Sequence, residues 1–417
     1  MSDTKDVRRQ AGWLPPQDDL EAWLEERQER VEADRDDVEL HPAVVELQEL
    51  LASDPLLRMY VERMLTEEPQ GKPYGRRHIQ DTGQLLRLID QVLTTAPEFS
   101  EKVMVATPLG AIFDWPMGTT AGFAAFREPR FNAALKKILN AWCVFLDSPD
   151  SLYVLTDAEG GWMSEEAVEA IGIERFEHDP DAEHWGFDSW NAFFTRRFKE
   201  GERPVAEPDD DRVVVSPCES SPYAIGRDVQ REDSFWIKSQ PYSLRDLLAR
   251  DPSVDDFVGG TVWQSYLSAT SYHRWHSPVA GTVVRAFNVD GTYYSEADTE
   301  GAEATEPSSS QGYTAHVATR AVILIEADNP EIGLVAFVPI GMSDVSSCRI
   351  HPHLQPGYHL AKGEELGYFQ FGGSTVCLVF RPGVVQGFSL QAIPEPDDPA
   401  APAPPVVQVC SPIALTR

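Results

Sequence analysis

The spacing of apolar positions changes character near residue 205. Before that point they recur every three to four residues, the period of a helix with one buried face. Leu20, Trp23 and Leu24 follow Asp18-Asp19, and Val44, Val45, Leu47, Leu50 and Leu51 keep the same period. Ser53-Asp54-Pro55 breaks the pattern and starts a new helix from Leu56 to Leu65, because Asp caps a helix and Pro fits its first turn. Leu85, Leu86, Leu88, Ile89, Val92 and Leu93 predict a further helix ended ahead of Pro97, and Phe131 to Phe145 another, stopped at Ser148-Pro149-Asp150. Beyond residue 205 short β-rich runs lie between turn residues: 212–215, 281–284, 321–325, 333–338, 366–371 and 376–380. The pattern predicts an α+β fold, with a helical region over 1–185, a mostly β region over 186–393 and a Pro/Ala-rich extension over 394–417. Ser295 to Gly312 is polar and reads as a flexible insertion. The helical region reads either as a lid that recognises substrate or as a solvated scaffold.

Composition narrows the partners. The chain has 417 residues, 42% of them hydrophobic, enough for a substantial core. No apolar run approaches the roughly 18–20 residues that span a bilayer, and no apolar stretch follows Met1 to Asp6, so a soluble, cytoplasmic protein without stable membrane insertion is expected. The net charge of −32, from 67 acidic and 35 basic residues, repels phosphate backbones and anionic headgroups; no nucleic-acid partner is expected. Cys143, Cys218, Cys348, Cys377 and Cys410 form no CxxC pair and no zinc-like spacing, and read as packing residues in a reducing compartment. No metal site is predicted; His351 and His353 are metal-like in spacing, but such a pair is more often a polar loop.

The candidate chemistry begins at Phe371-Gly372-Gly373-Ser374-Thr375, between two strand-like runs. Two glycines permit a backbone that a Cβ would forbid, and strain at such a place can serve a reaction. The reaction that suits it is an N→O acyl shift, in which the Ser374 hydroxyl attacks the Gly373 carbonyl and elimination then severs the chain. Such a nucleophile needs a base, an orienting carboxylate and donors for the oxyanion. His273 and His276 offer a base; on a helical turn their spacing puts both rings on one side, and a hydrogen-bonded structural pair is the plainer alternative. Glu219, after a strand-like run, offers a carboxylate, although a lone acid at a strand end is most often on the surface.

These segments resemble a known family. Phe193-Phe194-Thr195-Arg196-Arg197-Phe198, Arg203-Pro204, Ser216-Pro217-Cys218-Glu219-Ser220, Tyr272-His273-Arg274-Trp275-His276-Ser277-Pro278 and Phe371 to Thr375 fall in the order of the phosphatidylserine decarboxylases. Thr120 to Phe126, Trp142 to Ser151, Trp185 to Ser189 and Ile340-Gly341-Met342 are similar to the soluble branch that includes fungal tryptophan decarboxylases, so the resemblance covers nearly the whole chain. It implies self-cleavage between Gly373 and Ser374, with Ser374 converted to a covalent pyruvoyl group and the fragments 1–373 and 374–417 staying associated. His276 would be the base for the cut and His273 the proton donor in decarboxylation. Glu219 stands where the membrane-bound enzymes have Asp, one methylene shorter.

The implied activity is decarboxylation of a soluble amino acid, aromatic and tryptophan-like, through a Schiff base to the pyruvoyl ketone. Phosphatidylserine is the alternative substrate. A non-catalytic carrier of lipoyl or biotinyl type is a third reading, suggested by Ser277 to Val283 and Lys362 to Gly367, but no lysine lies between Lys238 and Lys362 to carry the group. The resemblance leaves a homo-oligomer open.

Overall fold

A computed structural model describes residues 14–33, 39–69, 77–100, 105–233, 242–296, 310–394 and 405–417. Most helices of the first half start at a residue whose side chain caps them. α1 (Gln17–Ala33), α2 (Pro42–Ser53) and α3 (Pro55–Met64) are followed by α4 (Thr82–Val92), α5 (Pro108–Met117), α6 (Thr120–Ala125) and α7 (Pro129–Leu146). α8 (Glu165–Ile171) and α9 (Trp190–Phe194) complete the helical region. Asp54 accepts the Leu56 and Leu57 N–H groups at the head of α3, and Asp81, Thr119, Ser164 and Ser189 do the same for α4, α6, α8 and α9. Each such cap is worth about 1 kcal/mol. Buried Leu85, Leu86, Leu88, Ile89 and Val92 form the inner face of α4, as their spacing predicts.

The second half is antiparallel sheet. Its strands are β1 (Val213–Val215), β2 (Ser221–Val229), β3 (Gly260–Leu267), β4 (Arg274–His276) and β5 (Gly281–Val289), then β6 (Arg320–Ala327), β7 (Leu334–Gly341), β8 (Ser347–Ile350) and β9 (His359–Leu360). β10 (Glu365–Gln370), β11 (Ser374–Phe380), β12 (Val385–Phe388) and β13 (Pro412–Thr416) follow, with two short helices, α10 (Leu244–Leu247) and α11 (Gln311–Val317), packed beside the sheet. The main sheet has the order β2-β3-β11-β7-β6-β5-β9; the two smaller ones are β4-β10-β8 and β1-β13-β12.

Both faces of the main sheet are covered, which explains its unbroken apolar runs. Along β11, Val376, Leu378 and Phe380 point into one core, whereas Cys377 and Val379 point into another. Ser374 heads this strand, paired with Leu267 on one side and Gly341 on the other.

One expectation needs correction. Residues 394–417 do not form an extension throughout: 395–404 lie outside the described residues, but Val407 bridges Ser220 and β13 is the middle strand of its sheet, with Ile413 and Ala414 buried. Of the polar stretch 295–312, residues 297–309 lie outside the described residues, and α11 begins at Gln311. The helical region packs against the sheet region. Its core is continuous with Tyr272 and Phe371, which belong to the segments carrying the candidate chemistry, and with Tyr293 and Tyr294. Among the described residues no helix is long and apolar enough to cross a membrane.

Candidate active site

The bond between Gly373 and Ser374 sits where β10 turns into β11, against a second turn of four residues, Met342 to Val345. The Met342 N–H donates to the Gly373 carbonyl at 2.7 Å, and the Gly373 N–H donates to the Ser343 carbonyl at 2.9 Å. Gly372 has φ +133, and a Cβ there would lie 2.3 Å from the Ser343 oxygen and 2.6 Å from the Asp344 carbonyl carbon. Only glycine lets the two turns close to this distance. The Ser374 hydroxyl is buried and has no hydrogen-bond partner among the described residues. The turn thus supplies one part of what an acyl shift requires, a donor on the carbonyl oxygen, while neither His273, His276 nor Glu219 is hydrogen-bonded to the Ser374 hydroxyl.

The histidines are not placed as a helical turn would place them. Arg274–His276 is strand β4, paired with β10, and residues three apart on extended backbone face opposite ways. His273 is fully buried and stacks on Phe194 with ring centroids 4.0 Å apart. Phe194 in turn meets Phe371 edge-on, and Phe371 packs against Trp142 and Trp190, so aromatic rings surround the residue before Gly372. Burial, reinforced by the Arg196 guanidinium, holds His273 well below the ordinary imidazole range.

His276 makes different contacts. Its Nδ1 lies 2.8 Å from the Gly363 carbonyl and its Nε2 2.8 Å from the Tyr272 hydroxyl. A carbonyl only accepts, so Nδ1 carries the proton and Tyr272 donates to Nε2. Burial lowers the His276 pKa as well, against the opposing pull of the Gly363 carbonyl and the Glu365 charge. Both rings are therefore neutral at pH 7 and able to accept a proton.

Glu219 is not joined to His276 by a hydrogen bond. Arg203 grips its carboxylate through Nε at 3.0 Å and through a terminal nitrogen at 2.5 Å, and the backbone N–H of Val409 completes the set. Fork geometry favours this pairing of guanidinium and carboxylate, and the Glu219 charge still acts on His276. The five cysteines are buried and unbridged. His351 donates to the Glu365 carboxylate at 2.5 Å, and among the described residues no group of His, Cys, Asp and Glu is arranged to hold a metal ion.

Sequence patterns missed Tyr272 and Asp344. Tyr272 lies four residues before His276 and is buried, which pushes its phenol above the ordinary range and keeps it a proton donor. Asp344 is fully buried next to Ser343, and burial raises its carboxyl to about 7 in spite of three donors. The signal for Asp344 was a single acid set among small and apolar residues between two strands.

Away from the turns, His316 gives a pH prediction. Its Nε2 accepts the Ser243 N–H at 3.0 Å and its Nδ1 donates to the Gly312 carbonyl at 2.6 Å, and burial lowers its pKa to about 4. The unfolded chain binds this proton near 6.5 and the folded chain near 4, so its stabilising effect is full above 6.5 and is lost as pH falls toward 4. The loss is on the order of 3 kcal/mol, and His273 and His276 add to it in the same direction. Urea midpoints measured from pH 7 to 4.5 will fall, and His316→Phe will flatten the slope.

The antiparallel sheet thus carries a Gly-Gly-Ser turn at the head of an interior strand, with the helical region packed against that turn. The family described as phosphatidylserine decarboxylase matches residues 190–395, and a second unit of the same description matches residues 41–171. The chain belongs to the phosphatidylserine decarboxylase family. It is 42% identical to the decarboxylase iboD of Amanita muscaria over 71% of this chain and 92% of that protein. It is 34% identical to the L-tryptophan decarboxylase of Psilocybe cubensis over 81% of this chain and 80% of that one. The L-tryptophan decarboxylase of Psilocybe cyanescens is 33% identical, over 89% and 88%.

Proposed function

We propose that this decarboxylase cuts its own backbone between Gly373 and Ser374, makes a pyruvoyl group from Ser374, and acts on a soluble aromatic amino acid. The observation that carries the cut is the Gly373 carbonyl held by the Met342 N–H at 2.7 Å beside a buried, unpartnered Ser374 hydroxyl. Names of fungal relatives, two of them L-tryptophan decarboxylases, support the substrate class.

In the first step the Ser374 oxygen bonds to the Gly373 carbonyl carbon, the peptide C–N bond breaks, and the Ser374 nitrogen takes up the proton. The developing oxyanion stays on the Met342 N–H. Loss of the Ser374 α-hydrogen then breaks the Cβ–Oγ bond, which frees the Gly373 carboxylate and leaves a dehydroalanine. Water replaces its nitrogen, ammonia leaves, and a pyruvoyl group heads β11. That group supplies a ketone to bind the substrate amine and an acceptor for the electrons released with carbon dioxide.

His276 serves as base for the cut once Tyr272 releases Nε2, and Gly363 keeps its tautomer fixed. His273, neutral and stacked among rings, would pass its ring N–H proton to the product carbon while its other nitrogen takes one up in exchange. Glu219 acts on His276 through its charge and ties Val409 of the small fragment to Arg203 of the large one. With β11 between β3 and β7, and β13 beside β1, the two fragments stay together.

Intact-mass measurement of the purified protein is expected to give 1–373 and a pyruvoyl-blocked 374–417. Release of carbon dioxide is expected with tryptophan, phenylalanine or tyrosine and not with phosphatidylserine vesicles. An active chain that is still whole refutes the cut, and turnover of the lipid alone refutes the substrate class.

A further inference from the structure

The turn that holds Gly373 is itself held by the helical region. One residue past Ser343, Asp344 is fully buried with φ 65. One carboxylate oxygen accepts the Gly110 N–H at 2.8 Å and the Tyr294 hydroxyl at 2.7 Å; the other accepts the Leu109 N–H at 3.0 Å. Leu109 and Gly110 lie in the first turn of α5, whose N–H groups have no partner within the helix. Thr107, at the N-cap position, provides no side-chain hydrogen bond. Asp344 takes over that capping role from the far side of the domain. The fit is close, since a Cβ on Gly110 would lie 3.3 Å from the Cβ of Ser343. Tyr294 is fixed in turn by Phe113 of α5 and Phe126 just past α6, at 4.8 and 5.9 Å.

A turn needing only a left-handed residue would be served by glycine or asparagine at less cost than a buried acid. Every acceptor contact of this carboxylate reaches α5 or Tyr294, and its neighbours Met342 and Ser343 hold the two backbone groups of Gly373. We infer that Asp344 is a positioning residue for the self-cut: by pinning the 342–345 turn to the head of α5, it sets the Met342 N–H against the Gly373 carbonyl. The inference rests on the cleavage proposed above, and it makes docking of the helical region a condition of that cleavage.

The test follows cutting of freshly synthesised full-length chains with time, recording the rate constant and the final fraction cut, with circular dichroism to verify folding. Removing an oxyanion donor costs about a hundredfold or more, and Asp344→Gly, which relieves the backbone but drops all three contacts, is expected to slow the rate constant by about that factor. Asp344→Asn keeps an acceptor for two of the donors but turns an amide toward the third, and falls between. Tyr294→Phe loses one contact and cuts roughly three- to tenfold more slowly. A role in folding alone would lower the final fraction and leave the rate constant intact, and that result overturns the inference, as do folded variants cutting at the wild-type rate. Should both Asp344 variants fail to fold, Tyr294→Phe decides by the same criterion. A wild-type chain that never cuts overturns the cleavage reading, and this inference with it.

Discussion

Replacing Ser374 by Ala is expected to leave one intact chain with no decarboxylase activity above a buffer blank. Under the proposed cleavage, the substitution removes the attacking oxygen and the precursor of the ketone together, so no slower route remains. Loss of fold will not explain the result. The Ser374 hydroxyl is buried with no hydrogen-bond partner among the described residues, and deleting such a group is neutral or stabilising. Because it keeps the covalent link between β10 and β11, Ser374→Ala should also unfold at a higher temperature than the two-fragment form that the proposed cleavage gives. Intact mass, carbon dioxide release and a melting curve on one preparation check all three outcomes. An Ala variant that cuts or turns over would place the nucleophile elsewhere.

The second large effect is expected at Gly372. A methyl group there would overlap the Ser343 carbonyl, at 2.3 Å, and the Val345 nitrogen, at 2.6 Å. All of these atoms are backbone, so no side chain can swing aside to make room. The φ of +133 adds strain of about 1–3 kcal/mol for a residue bearing a Cβ. Gly372→Ala must therefore part the two turns, which breaks the paired bonds between Gly373 and the 342–343 backbone. Cutting should slow by about a hundredfold or more, the cost of misplacing an oxyanion donor. Gly387, where a Cβ would meet nothing within 4 Å, is the control, and Gly387→Ala should cut normally. Wild-type cutting in Gly372→Ala would show that the closeness of the turns has no part in the reaction.

Much of the fold was legible because its signals are periodic. Apolar spacing marked the major helices, and the continuous runs at 321–325, 333–338 and 376–380 marked strands covered on both faces. β3 was not evident, since Gln264 and Ser265 interrupt its apolar pattern and only the structure shows them buried and bonded to Gln311, Thr375 and Ser220. β13 was hidden behind a Pro- and Ala-rich approach. At the candidate site, Gly373, Ser374 and the two histidines stood out as residue types, but how they meet did not. That Glu219 turns to Arg203, that His276 takes its orientation from Gly363, and that Asp344 reaches α5 are long-range pairings. No local pattern encodes them, because each depends on where the sheet carries a residue far away in sequence.

β11 is flanked by β3 and β7 from its first residue, and both partners come from distant stretches of the chain. The bond at its head can therefore react only after those strands have found their places. Under the proposed cleavage, the break becomes an irreversible timestamp of folding. A chain that has reached its native state once carries two ends more than one that has not, and keeps them if it later unfolds. The proportion of cut to uncut chain in a cell extract would then read out cumulative folding yield, a quantity that activity measured at a single moment does not contain.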